Sequence, residues 1–290
     1  MIRIGIVGSD NSHAVAFSQL ANVEKAYGDE ARVVAICGAE PARTQEVAEK
    51  GQIERIVAGP EAMLGAVDAA MVVYRHGDLH MAGALPFLEA GLPVFVDKPF
   101  AVNLADARRM EEVALRTGAP LTSFSTIRIC PETVALIEAA KAAGPLRVGT
   151  FTGPCDFNSE YAGPFFYGTH SIELALALFG EDVQSVSTAS HGGIVASALR
   201  FGSGALVTLN LTTNASYVFH GLVVGKDGWT AAATGTKDTY RTGMSIFLDM
   251  VRTGRRPFSD EQLLNPIRIM HAIAKSVAAG GAEVTVASVD

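Results

Sequence analysis

The stretch that decides the fold is the first one, MIRIGIVGSDNSHAVAFSQL (residues 1–20). Residues 2–7 form a nearly continuous apolar run of strand length, and a polar segment follows from Gly8 to His13. The chain then becomes apolar again with helical spacing. A buried strand, a tight polar turn and a helix, in this order, are typical of the first unit of a parallel α/β sheet.

The same alternation continues through the first 125 residues. Further strand-like runs lie at 32–37, 54–58, 69–74, 93–97 and 120–124, and helical segments near 13–26, 42–50, 60–66, 79–90 and 104–117. Strands that are buried on both faces of a parallel sheet appear as continuous apolar runs. The sequence therefore predicts an α/β protein whose residues 1–125 form a Rossmann domain with a doubly wound parallel sheet.

From residue 126 the pattern changes to strands that are joined by short turns. We predict a helix from Pro131, a strand at 146–153 and a helix from His170 to Gly180. Strand-like runs follow at 183–190, 193–201, 204–213, 217–225 and 229–235, and helices near 240–253 and 260–279. Residues 126–290 are therefore predicted to form an α+β domain with an open, mainly antiparallel sheet and helices on one side.

The bulk composition excludes several classes of protein. The 290 residues are 49% hydrophobic with a net charge of −7, and no basic stripe is present, so we expect no nucleic-acid partner. No long apolar run or signal-peptide pattern occurs, and the three cysteines are odd in number and far apart, so we expect a cytoplasmic protein without a membrane partner. His76 and His80 have a metal-ligand spacing without a third ligand, so no metal is predicted.

The loop after the first strand departs from the G-x-G-x-x-G pattern of dinucleotide-binding folds. Gly8 supplies the tight turn, but Asp10 and His13 occupy the second and third glycine positions. One interpretation is that Asp10 or Ser12 only caps the helix. The other is that side chains of the loop bind a cofactor's phosphates in place of bare backbone. The loop residues predicted to bind the cofactor are Gly8, Ser9, Asp10, Asn11, Ser12 and His13.

The end of the second strand leaves the choice of cofactor open. Gly38 stands where an acid that binds the ribose of NAD is usual. Its absence tolerates the additional phosphate of NADP, which Arg43 could reach, whereas Glu40 opposes such a phosphate. We therefore predict NAD or NADP without deciding between them.

Residues 68–101, DAAMVVYRHGDLHMAGALPFLEAGLPVFVDKPFA, resemble the Gfo/Idh/MocA family of oxidoreductases. The family signature at this point is Glu-Lys-Pro, which Asp97, Lys98 and Pro99 match with Asp for Glu. The resemblance implies that Lys98 faces both nicotinamide and substrate as a catalytic and cofactor-binding residue. It also implies that the turn with Tyr74, Arg75 and His80 passes the nicotinamide ribose.

The family's second chemical element is Asp-x-x-x-His, and FFYGTHSIELALALFG (165–180) occupies its place. His170 matches the histidine that usually accepts the substrate's proton, whereas Phe166 replaces the aspartate. Glu173 and Tyr167 are predicted to support catalysis, Glu173 by orienting the ring. Loop residues with polar groups or flat faces are predicted to contact substrate, and these are Asp156, Asn158, Tyr161 and Tyr167; the alternative is a loop that packs on itself.

These observations predict an NAD(P)-dependent oxidoreductase of a sugar-like or polyol alcohol or ketone, with Lys98 and His170 handling the proton. Two alternatives remain open. One is a non-catalytic metabolite sensor or scaffold, which the altered glycine loop favours, and the other is a lyase or glycosidase that retains its cofactor. Because strands such as ALVTLNLTT (205–213) carry apolar or threonine residues on both sides, we expect a homodimer or homotetramer through the second-domain sheet.

Overall fold

The computed structural model describes residues 1–235 and 238–289. The chain divides into two compact units, Met1–Phe124 with Tyr240–Leu263, and Ser125–Thr239 with Leu264–Asp290. The sequence placed the whole of 126–290 in the second domain, and the structure differs in packing residues 240–263 into the first unit. Aromatic contacts are the physical reason, because Phe247 packs on Phe95 with ring centroids 6.3 Å apart.

The first unit contains a sheet of six parallel strands. The strands are β1 Ile2–Val7, β2 Ala31–Cys37, β3 Arg55–Ile56, β4 Ala69–Val72, β5 Val94–Val96 and β6 Leu121–Ser123. Their order is β3-β2-β1-β4-β5-β6, which confirms the predicted doubly wound Rossmann sheet. Because all strands run in the same direction, the loops after β1, β4 and β5 leave the sheet side by side.

Four α-helices connect these strands: α1 Ser12–Ser18, α2 Pro41–Lys50, α3 His80–Glu89 and α4 Leu104–Thr117. The predicted ends of α4 are confirmed, since Asn103 caps it and Gly118 ends it with φ +75°. Two helices are shorter than predicted. A π-helical turn, Gln19–Val23, continues α1, and the segment at 60–66 is one 3₁₀ turn, Pro60–Met63, because Leu64 takes an extended ψ of 134°.

The second unit begins with α5 Thr126–Ile129 and α6 Pro131–Lys141 and contains a seven-stranded sheet. The strands are β7 Leu146–Pro154, β8 Val183–His191, β9 Ile194–Phe201, β10 Leu206–Thr212, β11 Phe219–Gly225, β12 Trp229–Thr234 and β13 Val284–Thr285. They are ordered β12-β11-β7-β10-β9-β8-β13. Only the β7–β10 pair is parallel, so the sheet is mainly antiparallel as predicted.

Three further helices complete the chain: α7 Phe165–Phe179, α8 Thr239–Thr253 and α9 Asp260–Ala278. The prediction that a helix begins at His170 is wrong, because α7 begins five residues earlier. Phe165, Gly168 and Thr169 are buried, so the apolar face of the helix starts within the aromatic loop and His170 lies in the second turn. None of the helices in the described residues is long and apolar enough to cross a membrane.

Candidate functional site

Asp97 and Lys98 follow β5 directly, and both side chains are buried, with 1% and 4% exposure. The Asp97 carboxylate accepts hydrogen bonds from the backbone N–H of Lys98, 2.8 Å away, and from the side-chain amide of Asn11, 3.1 Å away. His13 Nδ1 lies 2.5 Å from Oδ2 of the same carboxylate. Asp97 therefore joins the loop after β1 to the residue that carries the predicted chemistry.

The charge of Asp97 is stabilised by its neighbours. Burial by itself raises the pKa of a carboxyl group, but the charge and hydrogen bond of His13, together with the charges of Lys98 and His80, lower the pKa of Asp97 to about 2. The group is therefore a carboxylate at neutral pH. A buried carboxylate beside a buried lysine also stabilises the ammonium form of that lysine.

His80 connects two loops at the same edge of the sheet. Its side chain is fully buried, with Nδ1 2.8 Å from the Pro99 carbonyl and Nε2 2.9 Å from the Tyr74 carbonyl. Burial lowers the pKa of His80 against the opposing effect of these carbonyls and of Asp97. His80 therefore contacts the carbonyl group of Pro99, next to Lys98 in the chain, while its contact with a cofactor stays a prediction.

The side chains of the loop after β1 bind mainly to other parts of the first unit. Asn11, rather than Asp10 or Ser12, caps α1 by accepting from the N–H of His13. Ser9 is buried, and its hydroxyl lies 2.8 Å from that of Thr44. Asp10 accepts a hydrogen bond from the backbone N–H of Arg75 at 3.1 Å. Side chains of this loop therefore shape it, which leaves its backbone to meet a ligand.

The backbone of this loop fits a bound cofactor phosphate. Within residues 1–235 and 238–289, no acceptor is paired with the backbone N–H groups of Ser9, Asp10 and Asn11. Consecutive free N–H groups at the start of a helix form an anion-binding site. One feature opposes a phosphate, since Oδ1 of Asp10 is buried without a partner in the described part of the chain. The other oxygen of that carboxylate accepts from the backbone N–H of Arg75, which offsets part of its charge.

The region after β2 is equally well packed. A Cβ at Gly38 would lie 2.1 Å from the Ser9 hydroxyl, so no acid fits there while Ser9 keeps its position. Arg43 donates to the Ser9 carbonyl at 3.1 Å and pairs with Glu46 at 2.7 Å. The guanidinium is therefore held beside the loop, and the choice between NAD and NADP remains open.

His170 is held inside a polar cluster of the second unit. Its Nδ1 lies 2.6 Å from the hydroxyl of Ser125, and its ring packs edge-on against Phe219 at 5.2 Å. Glu173, one turn along α7, accepts from the backbone N–H of Ser125 at 2.9 Å. The side chains of His170 and Glu173 are buried, with 6% and 4% exposure. This geometry holds the imidazole in one orientation, as proton transfer requires.

The predicted substrate residues fall into two places. Tyr167 lies beside the His170 ring, with centroids 5.8 Å apart, and Tyr161 contacts Phe166 in the same aromatic cluster. Asp156 and Asn158 instead line a groove of about 620 Å³ together with the turn between β8 and β9. Their role in substrate binding stays a prediction.

Three residues that the sequence analysis did not select are central to these clusters. In the sequence, Asp97 stands out only as the replacement of the signature glutamate, although an acid directly after a buried strand by itself indicates a functional position. Ser125 begins a four-residue helix as its cap, a position that resembles an ordinary capping serine. Tyr240, whose ring lies 5.0 Å from that of His13, comes from the distant helix α8 and had no local signal.

Comparison with known proteins agrees with this geometry. Residues 2–124 match the model of the GFO_IDH_MocA family, an oxidoreductase family with an NAD-binding Rossmann fold. The chain is 31% identical over 183 residues to the D-apiose dehydrogenase of Paraburkholderia graminis, a match that covers 56% of this chain and 47% of that protein, about half its length. It is 26% identical over 287 residues to the myo-inositol 2-dehydrogenase of Thermotoga maritima, covering 90% and 79%.

The fold comparison covers both units. A probable dehydrogenase from Thermotoga maritima has the same fold with a TM-score of 0.86 at 21% identity, covering 100% of both chains. A likeness at this level of identity concerns the fold, whereas the match to the family model lies in the first unit. Residues 2–124 are similar to the Gfo/Idh/MocA oxidoreductase family, the family that Asp97, Lys98 and Pro99 resemble.

Proposed function

We propose that this protein is an NAD(P)-dependent dehydrogenase or reductase of a sugar-like or polyol alcohol or ketone. The observation that carries the proposal is the buried Lys98, whose position is held by Asp97 at the carboxyl edge of a Rossmann sheet. Ligands of such sheets bind at this edge. A lysine without a chemical role is rarely buried, because removing its charge from water is costly.

Each cluster supplies a separate part of the chemistry. The backbone N–H groups of Ser9, Asp10 and Asn11 would hold the cofactor's pyrophosphate, and a bound NAD(P) would supply the hydride donor or acceptor for the substrate carbon. The Lys98 ammonium donates a hydrogen bond to the substrate oxygen, which stabilises negative charge that develops there. His170 exchanges the proton with that oxygen.

The relatives and the aromatic loop support this substrate class. The two curated relatives are named as dehydrogenases of D-apiose and myo-inositol, which are both polyhydroxylated molecules. Tyr161 and Tyr167 offer flat faces and hydroxyl groups near His170, which suit a sugar-like ring.

We also propose a homo-oligomer that forms through the sheet of the second unit. Helices α6 and α7 pack on one face of this sheet. On the opposite face, a row of apolar side chains crosses four neighbouring strands, and all are at least 36% exposed: Trp229, Val224, Val148 and Leu206. A contiguous apolar row of this kind is typical of a contact between subunits.

We also propose a cytoplasmic location, which the three cysteines support. Cys37, Cys130 and Cys155 are buried free thiols. Burial raises the pKa of Cys37 to about 11 and that of Cys155 to about 12, so neither is a reactive thiolate.

Calorimetric titration of nucleotide-free protein with NAD⁺, NADH, NADP⁺ and NADPH tests the cofactor part. We expect a micromolar Kd for at least one of them, followed by turnover in a screen of myo-inositol, D-apiose and related polyols. If none of the four binds, the dehydrogenase proposal fails and the chain is better explained as a metabolite sensor.

Substitution of Lys98 tests the chemistry. Lys98→Ala is expected to lower kcat by at least about 10²-fold in a protein that still folds, because the donor to the substrate oxygen is lost. Lys98→Met, which keeps the buried chain, is the second variant. Lys50→Ala, which removes an exposed ion pair with Glu46, is the control and should keep normal kcat. Normal turnover in Lys98→Ala would remove Lys98 from the mechanism.

A further inference from the structure

The orientation of His170 depends on a residue from another segment. Ser125 lies 45 positions earlier in the sequence, yet its hydroxyl oxygen is 2.6 Å from Nδ1 of the ring. Ser125 is fully buried, so water does not compete for this hydrogen bond. A short, buried contact of this kind fixes the rotation of the imidazole.

Ser125 is itself held at two further points. Its backbone N–H donates to Oε2 of Glu173 at 2.9 Å, and its hydroxyl oxygen accepts from the N–H of Ile127 at 3.1 Å. Glu173 and His170 lie one turn apart on α7. The contacts therefore form a closed ring from His170 to Ser125, from Ser125 to Glu173, and back along the helix. Neither the serine nor the imidazole can move without breaking it.

The hydroxyl group suits a histidine that changes protonation state. A serine has one proton and two lone pairs, and one lone pair accepts from Ile127. The remaining lone pair can accept from Nδ1–H, and the hydroxyl proton can donate to a bare Nδ1. The same partner therefore serves the imidazolium and both neutral tautomers. A carboxylate in this place could only accept, and would stabilise the protonated Nδ1 alone.

We propose that Ser125 is the positioning residue of the His170 chemistry, and that it reserves Nδ1 for the protein so that proton exchange with substrate occurs at Nε2. This inference rests on the proposed function of His170. In the oxidation direction, the proton of the substrate hydroxyl passes to Nε2 while the hydride passes to the nicotinamide cofactor. The resulting imidazolium then donates from Nδ1–H to the Ser125 oxygen. In reduction both transfers run in reverse.

Glycine at position 125 is the sharpest test variant. Ser125→Gly removes the hydroxyl, and glycine is among the residues tolerated at a helix N-cap, so we expect α5 to be kept although the buried N–H of Ile127 loses its acceptor. We expect kcat to fall about tenfold to hundredfold with KM within about threefold, because the ring is misplaced while substrate contacts remain. Ser125→Thr, which restores the hydroxyl, should recover most of the lost kcat. The assay uses myo-inositol with the cofactor that binds.

A measurement without turnover separates this inference from the proposed function. The ¹⁵N NMR signals of His170, assigned with a His170→Gln variant, report the hydrogen bond at each ring nitrogen. We expect the Nδ1 signal to shift in Ser125→Gly and to return in Ser125→Thr. If the glycine variant does not fold, Ser125→Cys, a weak hydrogen-bonding group of similar shape, takes its place.

Two results would overturn the inference. One is an unchanged Nδ1 signal in folded Ser125→Gly, which would show that the hydroxyl does not bind the ring in solution. The other is a Ser125→Thr variant that folds but is as slow as Ser125→Gly, which would show that the hydroxyl is not what matters. A protein that turns over none of the polyols, but shows the expected shift and recovery at Nδ1, would contradict the proposed function and leave the Ser125–His170 contact established.

Discussion

At the scale of single residues, Asp97 joins the end of β5 to the loop after β1. It binds Asn11, His13 and the backbone of Lys98 at once. The aspartate side chain is shorter than the glutamate of the family signature, and His13 reaches it from the third glycine position of the opening loop. The two departures from the expected motifs thus meet in one contact.

This arrangement predicts that Asp97 stabilises the fold in a pH-dependent way. Its pKa is lowered from 3.8 to about 2, so the contribution is complete above pH 4 and is lost as the pH falls toward 2. The shift corresponds to about 2 kcal/mol. In urea unfolding, Asp97→Asn should cost at least about 2 kcal/mol at pH 7, and its difference from the unsubstituted protein should shrink as the pH falls from about 4 to about 2.

The exposed pair of Arg3 and Asp68 provides the matched control. Their side chains lie 2.7 Å apart but are 41% and 39% exposed, so solvent screens the interaction. Asp68→Asn should therefore change the free energy of unfolding much less than Asp97→Asn. An equal loss of unfolding free energy in the two variants would contradict the conclusion that the buried contacts of Asp97 stabilise the fold.

At the scale of elements, the opening loop turns sharply at Gly8 and is then held by its polar side chains. Gly8 adopts φ +102°, which side chains rarely allow, and a Cβ there would lie 2.7 Å from the backbone nitrogen of Tyr74. The loops after β1 and β4 therefore approach each other only because residue 8 is glycine. The polar residues that follow then fix the loop through Thr44, Arg75 and Asp97.

Substitution of Gly8 is expected to separate loop geometry from general stability. Gly8→Ala should weaken NAD(P)H binding at least about tenfold, since the strained backbone, worth about 1–3 kcal/mol, turns the N–H groups away from the phosphate. Gly118→Ala is the matched control. It also has a positive φ, +75°, but its Cβ would meet open space at the end of α4. It should cost about 1–2 kcal/mol of stability and leave the Kd unchanged. An unaltered Kd in Gly8→Ala would exclude this loop from the cofactor site.

The helix α7 shows how element boundaries depend on packing. The apolar residues after His170 predict the helix correctly, but its first turn consists of aromatic and glycine residues that resemble a loop. Burial of Phe165 at 6% exposure and of Gly168 against Met270 extends the helix toward the N-terminus. His170 therefore lies inside a rigid element, which suits a residue that must keep its orientation.

At the scale of the whole molecule, the second sheet exposes a row of apolar side chains on the face opposite α6 and α7. Leu206 and Val148 are directly paired across β10 and β7, and they are 46% and 45% exposed. Leu206→Asp should shift the protein toward monomers in size-exclusion chromatography with light scattering, because a carboxylate cannot be buried in such a contact without a partner.

The control for this substitution is Leu115→Asp. Leu115 is 83% exposed on α4 of the first unit and does not belong to the row of apolar residues. It should leave the molar mass unchanged. A protein that is already monomeric, or an oligomer that both variants leave intact, would rule out the sheet face as the contact.

The sequence by itself determined the fold class, the edge of the first sheet that carries Lys98, and the resemblance to the Gfo/Idh/MocA family. These follow from local features that lie within short stretches of the chain, such as apolar runs, capping residues and the Asp97–Pro99 signature. Only the tertiary structure decided that Asp97 binds the opening loop, that Ser125 holds His170, and that residues 240–263 pack in the first unit. The Asn11–Asp97 and Ser125–His170 contacts join residues 86 and 45 positions apart, and no local pattern encodes them. They form because folding brings buried polar groups together, and each must find a partner there.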